Sequence, residues 1–548
     1  MPAQLTYPGV YIEEIPSGVR TIIGVATSIT AFIGRAKSGP VNEAVTINSF
    51  GDFERIFGGL WVNSTLGFAV RDFYLNGGSQ AVIIRLYHEE TGKNPKAKFK
   101  VGDFTFEAAY EGAWGMNLRA SIDLDVSADV AASMGLGKSD LLNLSVRDAT
   151  PGSLTERFIN LSIKESPRRI DKVLDSNSRL IHWDGTLPPA LLPAAGDDDV
   201  TTAENNLAKL KKANPQDPAA IAAAQTALDT AKKGMTASDG IALAIGDFIP
   251  DGAQENKKGL YALEQVDLFN LLCIPPYLST GDVDVSLISE AASYCELKRR
   301  AMILVDPPSS WIDKKTAKDK FTDANNDNIG TRSKNAALFF PRLTQPNPLH
   351  DGQMEEFVPC GALAGIFART DTNRGVWKAP AGLEATLLGV PKLSVSLTDD
   401  ENGELNPLGI NCLRAMPAAG RIVWGARTLQ GDDRLASEWK YIPVRRTALF
   451  LEESLFRGLQ WVVFEPNDEP LWAQIRLNVG AFMHSLFIQG AFQGTTPRDA
   501  YFVKCDKETT TQDDINKGIV NIVVGFAPLK PAEFVVIKLQ QMAGQIQT

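Results

Sequence analysis

The sequence predicts a mixed α/β fold, and three features predict it. Apolar strand-like runs alternate with helical segments over 21–88 and again from 256 onward, as in a sheet with helices on its faces. Between these stretches, residues 96–185 divide into short strand-like pieces separated by Gly and Asp turns. Towards the far end, a long apolar helical face is followed by three strand-like runs. A chain of 548 residues exceeds what one core organises, so roughly two to four domains are expected.

In chain order, Pro8, Gly9 and Pro16 exclude a helix from residues 1–20 and leave an extended arm with a short strand at Val10–Ile12. Thr21–Gly34 reads as a buried strand region. Phe50–Phe57 and a helix near Leu66–Asn76 follow, and Gly77-Gly78 turns the chain into Ala81–Leu86. The unbroken AVIIRL of that run suits a sheet covered on both faces. Residues 186–200 form a loop rich in Pro, Ala and Asp. Thr201–Gly234 is an Ala- and Lys-rich helical hairpin; Thr201 and Glu204 fit a capping box, and Asp217 caps the second helix after the break at Asn214-Pro215. Its stripe of Ile221, Ala224 and Leu228 is thin, so an exposed, dispensable projection is expected.

Asp267–Ile274 and Ala301–Val305 return as buried strands around a helix at Val285–Arg299. Tyr441–Gln460 is an amphipathic helix. Asp468 as N-cap and Pro470 in the first turn then open a helix reaching Gln489. Leu471, Ile475, Val479, Phe482, Met483, Leu486 and Phe487 share one broad face of it. Gly490 and Gly494 end it, and strands are expected at Ala500–Cys505, Ile519–Phe526 and Glu533–Leu539.

Composition narrows the function. Hydrophobic residues make up 44% and charged residues 22%, the balance of a soluble globular protein. No apolar run is long enough to span a bilayer, and the N-terminal residues lack the pattern of a secretory signal. Net charge is −10, while Lys440–Thr548 balances 11 basic against 11 acidic residues; the acidic surplus lies upstream. An acidic chain with no basic cluster argues against nucleic acid as a partner. Cys273, Cys295, Cys360, Cys412 and Cys505 lie far apart with no C-x-x-C, as expected of buried, reduced thiols.

Candidate chemistry is weak. Ala132-x-x-x-x-Gly137-Lys138-Ser139 satisfies a relaxed phosphate-loop pattern, but DLLNLSVRD after it reads as a strand where a helix is needed. The Asp323–Gly330 loop carries Asn328 and Lys334 where a calcium loop requires Gly and Glu. Asp399-Asp400-Glu401-x-x-Glu404 is an acidic cluster that reads as a solvated turn. His88, His182, His350 and His484 occur in no serine-protease-like string, there is no G-x-S-x-G, and His484 reads as a packed residue of an apolar helix. No cofactor, metal or catalytic residue is expected.

Several strings carry a family resemblance. They are YPGVYIEEIPSG near the start, ATSITAFIG, AALFFPRL (Ala336–Leu343), Phe357–Gly382, Ile410–Leu429 ending in WGARTL, WVVFEPND (Trp461–Asp468), the GAFQG turn (Gly490–Gly494), AYFVKCD (Ala500–Asp506) and GFAPLKPAEFVV (Gly525–Val536). In this order they resemble the contractile tail sheath proteins of phage tails, R-type pyocins and phage-tail-like extracellular injection systems. No such string occurs between 89 and 255. The resemblance implies an N-terminal linking arm at 1–20, a subtilisin-like α/β middle domain at 21–88 and 256–435, and an outer insertion at 89–255 that is β-rich with the helical hairpin. It further implies an α+β core domain at 436–548, built from both chain ends and closed by a C-terminal arm.

What the resemblance implies for function is structural. Many copies would polymerise as a helical tube around an inner tube protein, with baseplate and terminator or cap components. Contraction would drive the tube through a target envelope, with no enzyme activity, nucleic acid or membrane insertion. Such a protein would be assembled in the cytoplasm as part of a phage-tail-like injection particle, the favoured reading, or of a phage tail. A hydrolase relative with a hidden site is the competing class. Tyr7, Gly9, Val10, Tyr11 and Ile12 would form the N-terminal intersubunit arm, and Phe534, Val535, Val536 and Ile537 the C-terminal one. The acceptor sheet would use Tyr501, Val503, Ile519, Ile522 and Val524. The tube-facing helix would expose Gln474, Arg476 and Asn478, with Arg476 placed to meet a carboxylate on the tube.

Overall fold

A computed structural model describes residues 20–150, 154–184, 191–213, 216–323 and 328–539. The expected N-terminal arm residues Tyr7, Gly9, Val10, Tyr11 and Ile12, and residues 324–327 of the Asp323–Gly330 loop, lie outside them. The described residues form a mixed α/β structure around an eight-stranded sheet. From edge to edge it runs Gly420–Val423, Ile410–Met416, Ala336–Phe340, Met302–Val305, Leu271–Cys273, Thr30–Arg35, Ala81–Leu86 and Ala44–Ile47. The six inner strands are parallel, and each edge strand joins antiparallel.

The apolar runs follow from that arrangement. A parallel sheet needs crossover segments on its faces, so its strands are buried on both sides. Thr30–Arg35, Ala81–Leu86 and Ala336–Phe340 are buried at every position. Ile33, Ile84, Ile303 and Leu338 face one side, onto Leu287, Ile288 and Ala291 of helix Val285–Tyr294 and Phe321 of helix Lys314–Thr322. Phe32, Ile83, Leu304 and Phe339 face the other, onto helices Phe50–Phe57, Leu66–Leu75 and Cys360–Arg374. From Thr30–Arg35 the chain steps one way to Ala81–Leu86, and from Leu271–Cys273 it steps the other way across the sheet. The order reverses between those two neighbours.

Residues 97–235 share a third core. It joins a four-stranded antiparallel sheet (Gly196–Asp197, Leu118–Asp123, Leu141–Asp148, Thr155–Ser162) to a three-stranded one (Lys98–Val101, Phe104–Ala108, Ile181–Trp183). The helical hairpin, Asp199–Lys212 and Pro218–Gly234, is part of this core and not a bare projection. Val200, Leu207, Ala224, Leu228 and Met235 are buried in it. Glu204 pairs with Arg119 at 3.2 Å. The first cap is Asp198, accepting from the Thr201 N–H, in place of a Thr201–Glu204 box; Asp217 caps the second helix as expected. Excising Thr201–Gly234 would therefore uncover apolar surface of this core, which weighs against the expectation that it is dispensable.

A fourth core surrounds helices Ile442–Gly458 and Glu469–Ile488. Ile22 belongs to it, the Arg20 N–H donates to Asn478 Oδ1 and the Val25 N–H to Ser454 Oγ, so residues from near both chain ends meet here. Buried Arg446 forks onto both oxygens of Asp371 (2.8 and 2.6 Å) and ties this region to helix Cys360–Arg374.

Helices Leu66–Leu75 and Cys360–Arg374 approach backbone to backbone. A Cβ on Gly361 would lie 2.0 Å from the Ala69 carbonyl oxygen, and one on Gly365 2.4 Å from that of Phe73. Neither obstacle is a side chain that can rotate away. Gly361→Ala is expected to destabilise the subunit by about 1–3 kcal/mol, the usual range for overpacking a close contact. Denaturant unfolding of the two proteins side by side checks it; equal midpoints would mean the helices separate freely.

Candidate intersubunit surface

Tyr501–Lys504 and Val523–Phe526 form a two-stranded antiparallel sheet, in register Tyr501↔Phe526, Phe502↔Gly525, Val503↔Val524 and Lys504↔Val523. Tyr501, Val503, Val524 and Phe526 turn inward onto helix Glu469–Ile488, while Phe502 and Val523 face solvent at about half exposure. Gly525 leaves room for the Phe502 ring opposite it: a Cβ there would lie 2.2 Å from the ring and would push it aside. Among the described residues no third strand joins this sheet. Two strands of four residues are marginal alone, and this pair leaves backbone donors and acceptors along its edges. Of the expected acceptor residues, Tyr501, Val503 and Val524 lie in the strands. Ile519 and Ile522 precede the second strand, which is shorter than expected because residues 519–522 run as a loop.

Helix Glu469–Ile488 starts at Asp468, whose side chain makes no capping bond. Asn478 does not stand on its exposed face: it is buried, with Oδ1 accepting the Arg20 N–H. Gln474 and Arg476 are half-buried. Arg476 donates to Glu469 Oε1 at 2.6 Å and to the Cys505 carbonyl, so its charge is already met within the chain. The outward stripe is instead Ala473, Leu477, Ala481, His484 and Ile488 at helical spacing. His484 is exposed there, stacked on Phe487, and not packed inside.

The expected strand Glu533–Leu539 pairs with no strand among the described residues. Phe534, Val535, Val536 and Ile537 are 75–81% exposed, four consecutive apolar side chains in water. Glu533 just before them is held firmly. Its Oε1 and Oε2 accept from Arg427 Nε and Nη2 at 2.8 and 2.7 Å, and Tyr441 Oη donates to it at 3.2 Å. The Arg427 guanidinium is fully buried and also meets Asp433 (3.0 Å) and the Gly431 carbonyl (3.1 Å). Its backbone is pinned in turn by Asn411 of strand Ile410–Met416, which accepts the Arg427 N–H and donates to the Arg427 carbonyl, both at 2.7 Å. This contact was not read from the sequence. Both partners lay in strings singled out there, WGARTL and GFAPLKPAEFVV, but the pairing across 106 positions had no local signal.

The crevice at the carboxyl ends of the eight-stranded sheet is occupied by protein side chains. Ligands of open α/β sheets bind where the strand order reverses, beyond the carboxyl ends of the strands. Here Arg35 fills that place, between the Trp61 and Tyr277 rings and donating to the Asp239 and Gly240 carbonyls. A nearby cavity of about 230 Å³ is bordered by Asp282, Ser310 and Arg342, below the usual size of a ligand pocket; Arg342 is engaged by the Pro307, Ser279 and Gly281 carbonyls and by Asp282. Gly137–Asp140 links a helix to a strand, the reverse of a phosphate loop. Glu404 of the acidic cluster bonds to Lys314 and Lys318, which pull it down to about 2, and Asp399 meets Arg414. The five cysteines are buried free thiols.

Two family models match the chain: "Phage tail sheath protein central domain" over residues 252–429 and "Phage tail sheath C-terminal domain" over 436–541. The chain is 27% identical over 172 residues to a putative prophage major tail sheath protein of Pseudomonas aeruginosa (strain UCBPP-PA14), covering 31% of this chain and 42% of the relative. It is 26% identical over 215 residues to the tail sheath protein of Enterobacteria phage T4, covering 39% of this chain and 30% of the relative. These matches span less than half the length of either relative. Among solved structures, the helical sheath of the anti-feeding prophage in its contracted state superposes with a TM-score of 0.53 at 23% identity, over 98% of this chain and 100% of the other.

At the carboxyl end of strand Met302–Val305, burial pushes the Asp306 carboxyl up to about 7. The Cys360 N–H donates to its Oδ1 at 2.9 Å, and Oδ2 has no partner among the described residues. An acid with a raised folded pKa binds more protons folded than unfolded between its two pKa values. Stability therefore falls as pH rises from about 4 to about 7 and then levels. Asp306→Asn keeps the acceptor and removes the charge. Its advantage over the unaltered protein should be small near pH 4 and grow to at most about 4 kcal/mol by pH 8. Melting curves across that range decide; a constant difference would show that Asp306 ionises freely.

Proposed function

The chain belongs to the contractile tail sheath family, and from that premise we propose that it is the subunit of a helical sheath that surrounds an inner tube and contracts to drive the tube through a target envelope. The observation that carries this reading is the pairing of deficits on one chain: a two-stranded sheet with open edges, and an apolar extended segment, Phe534–Leu539, left in solvent. Exposed edges and strands are aggregation hazards unless a partner completes them. Strand addition from a second copy supplies both needs, with backbone hydrogen bonds for affinity and alternate side chains for register. Repeated from copy to copy, it links subunits flexibly while their folded bodies rotate as units.

Domain roles follow the same reading. The eight-stranded domain acts as a rigid spacer, consistent with Arg35 filling its switch point. Residues 89–255 form the outer insertion, and helix Glu469–Ile488 faces the tube through the stripe of Ala473, Leu477, Ala481 and Ile488. Arg476, engaged with Glu469, is set aside as the tube contact. Stored conformational energy drives contraction without nucleotide hydrolysis, the baseplate templates assembly, and a terminator closes it. The favoured setting is a phage-tail-like injection particle; the match to the phage T4 sheath protein favours a phage tail as the second.

Truncation after Glu533, or the pair Val535→Asp and Ile537→Asp, should leave a folded subunit that forms no tubes by electron microscopy, as should removal of residues 1–15. Tubes of normal length from all three would refute strand exchange. Leu477→Glu should allow subunits to link but abolish recruitment to purified inner tubes; undiminished co-sedimentation would place the tube contact elsewhere.

A further inference from the structure

Pull on the C-terminal arm must enter the subunit somewhere, and the structure offers two entry points. One is the strand Val523–Phe526, from which the chain continues directly. Beyond it, the Ala527 N–H donates to the Ala500 carbonyl at 2.8 Å, the Gln493 N–H donates to the Ala527 carbonyl at 2.9 Å, and Pro528 bridges Phe492. Pro528 and Pro531 have no N–H, so this stretch extends the ladder poorly. The next hydrogen-bonded hold among the described residues is the side chain of Glu533, one residue before the exposed apolar run.

We propose that the Arg427–Glu533 ion pair is the root of the C-terminal arm, a positioning contact that passes tension from a linked neighbour into the eight-stranded sheet. This rests on the reading that the arm joins another copy. The geometry supports the role in three ways. The contact is bidentate and the guanidinium is withdrawn from water, so it is stronger and more directional than a surface pair. Arg427 is bound through its backbone to Asn411 of the sheet and flanked by the Leu429 N–H, which donates to the Ala336 carbonyl at 2.8 Å. Force at Phe534 thus reaches two strands of the sheet through one short series of bonds. Without the pair, the same force would act on Ala527 and peel Val523–Phe526 from Tyr501–Lys504 one hydrogen bond at a time. The anchor also sets where the arm leaves the subunit, and so which neighbour it reaches.

Glu533→Gln keeps the shape and removes the charge, while Asp433 still faces Arg427, so folding is retained. Tubes of this variant are compared with unaltered tubes after controlled shear, alongside Asp433→Asn and a chain truncated after Glu533. The expected result is at least a threefold rise in fragmentation for Glu533→Gln, with faster deuterium uptake over 523–532 in the tubes, and no change for Asp433→Asn. Truncation tests the arm itself: tubes from the truncated chain would refute the linking role, whatever Glu533→Gln does. If truncation abolishes tubes but Glu533→Gln tubes shear and exchange like the unaltered ones, the anchor is refuted alone. Equal fragmentation with Asp433→Asn would also refute it, reducing the pair to general support of Arg427. Should Glu533→Gln fail to fold, Glu533→Asp, which keeps the charge on a shorter stem, carries the same comparison.

Discussion

A parallel sheet cannot leave either face in water, and this constraint arranges most of the molecule. The crossovers between its strands must lie on its faces, so helices cover both sides and the strands become unbroken apolar runs. Close cover is obtained where glycine lets backbones touch, at Gly361 and Gly365 over helix Leu66–Leu75. The 97–235 region could be inserted between two strands because it has its own core and does not draw on that of the sheet. The terminal helices are fixed to the sheet's outer layer by buried Arg446 and Asp371. Uncovered apolar side chains and open strand edges lie at the periphery, in the two-stranded sheet and the run after Glu533. A chain that closes its centre so thoroughly and leaves its margins open is suited to self-association.

Buried arginines perform unlike tasks here. Arg35 fills a crevice with an aromatic-flanked cation, Arg446 joins two helices, and Arg427 fastens a segment that is otherwise uncovered. Each replaces water with fixed donors and acceptors, which makes geometry decisive: a buried guanidinium without its partners is penalised far more than an exposed one. These sites are therefore where the conformation is most strictly specified.

The sheet was legible in the sequence because its strands are buried on both faces and read as continuous apolar runs. Boundaries were less so: the strand expected at Ile519–Phe526 begins at Val523, since β-branched residues also favour extended loops. The hairpin was misjudged for a different reason. Ala224 and Leu228 make a sparse stripe, but small side chains permit close approach, and closeness to a partner is not a property of one helix. Asn478 was assigned to the surface by residue type, yet one backbone N–H from Arg20 is enough to bury its oxygen. The extended character of Glu533–Leu539 was readable, whereas its division into an anchored residue and a free run depends on Arg427, 106 positions earlier.

That separation has a kinetic side. At ribosomal rates of roughly 5–20 residues per second, Glu533 emerges on the order of 5–20 seconds after Arg427. A domain that folds within this interval encloses the guanidinium with Asp433 as its carboxylate before Glu533 exists. In that order, Glu533 docks onto a site whose other members, Asn411, Gly431 and Asp433, were made before it. The exposed run Phe534–Leu539 follows within about a second. This exposed C-terminal run is thus synthesised after every described core residue, so the order of synthesis shortens the time in which it can entangle neighbouring nascent chains.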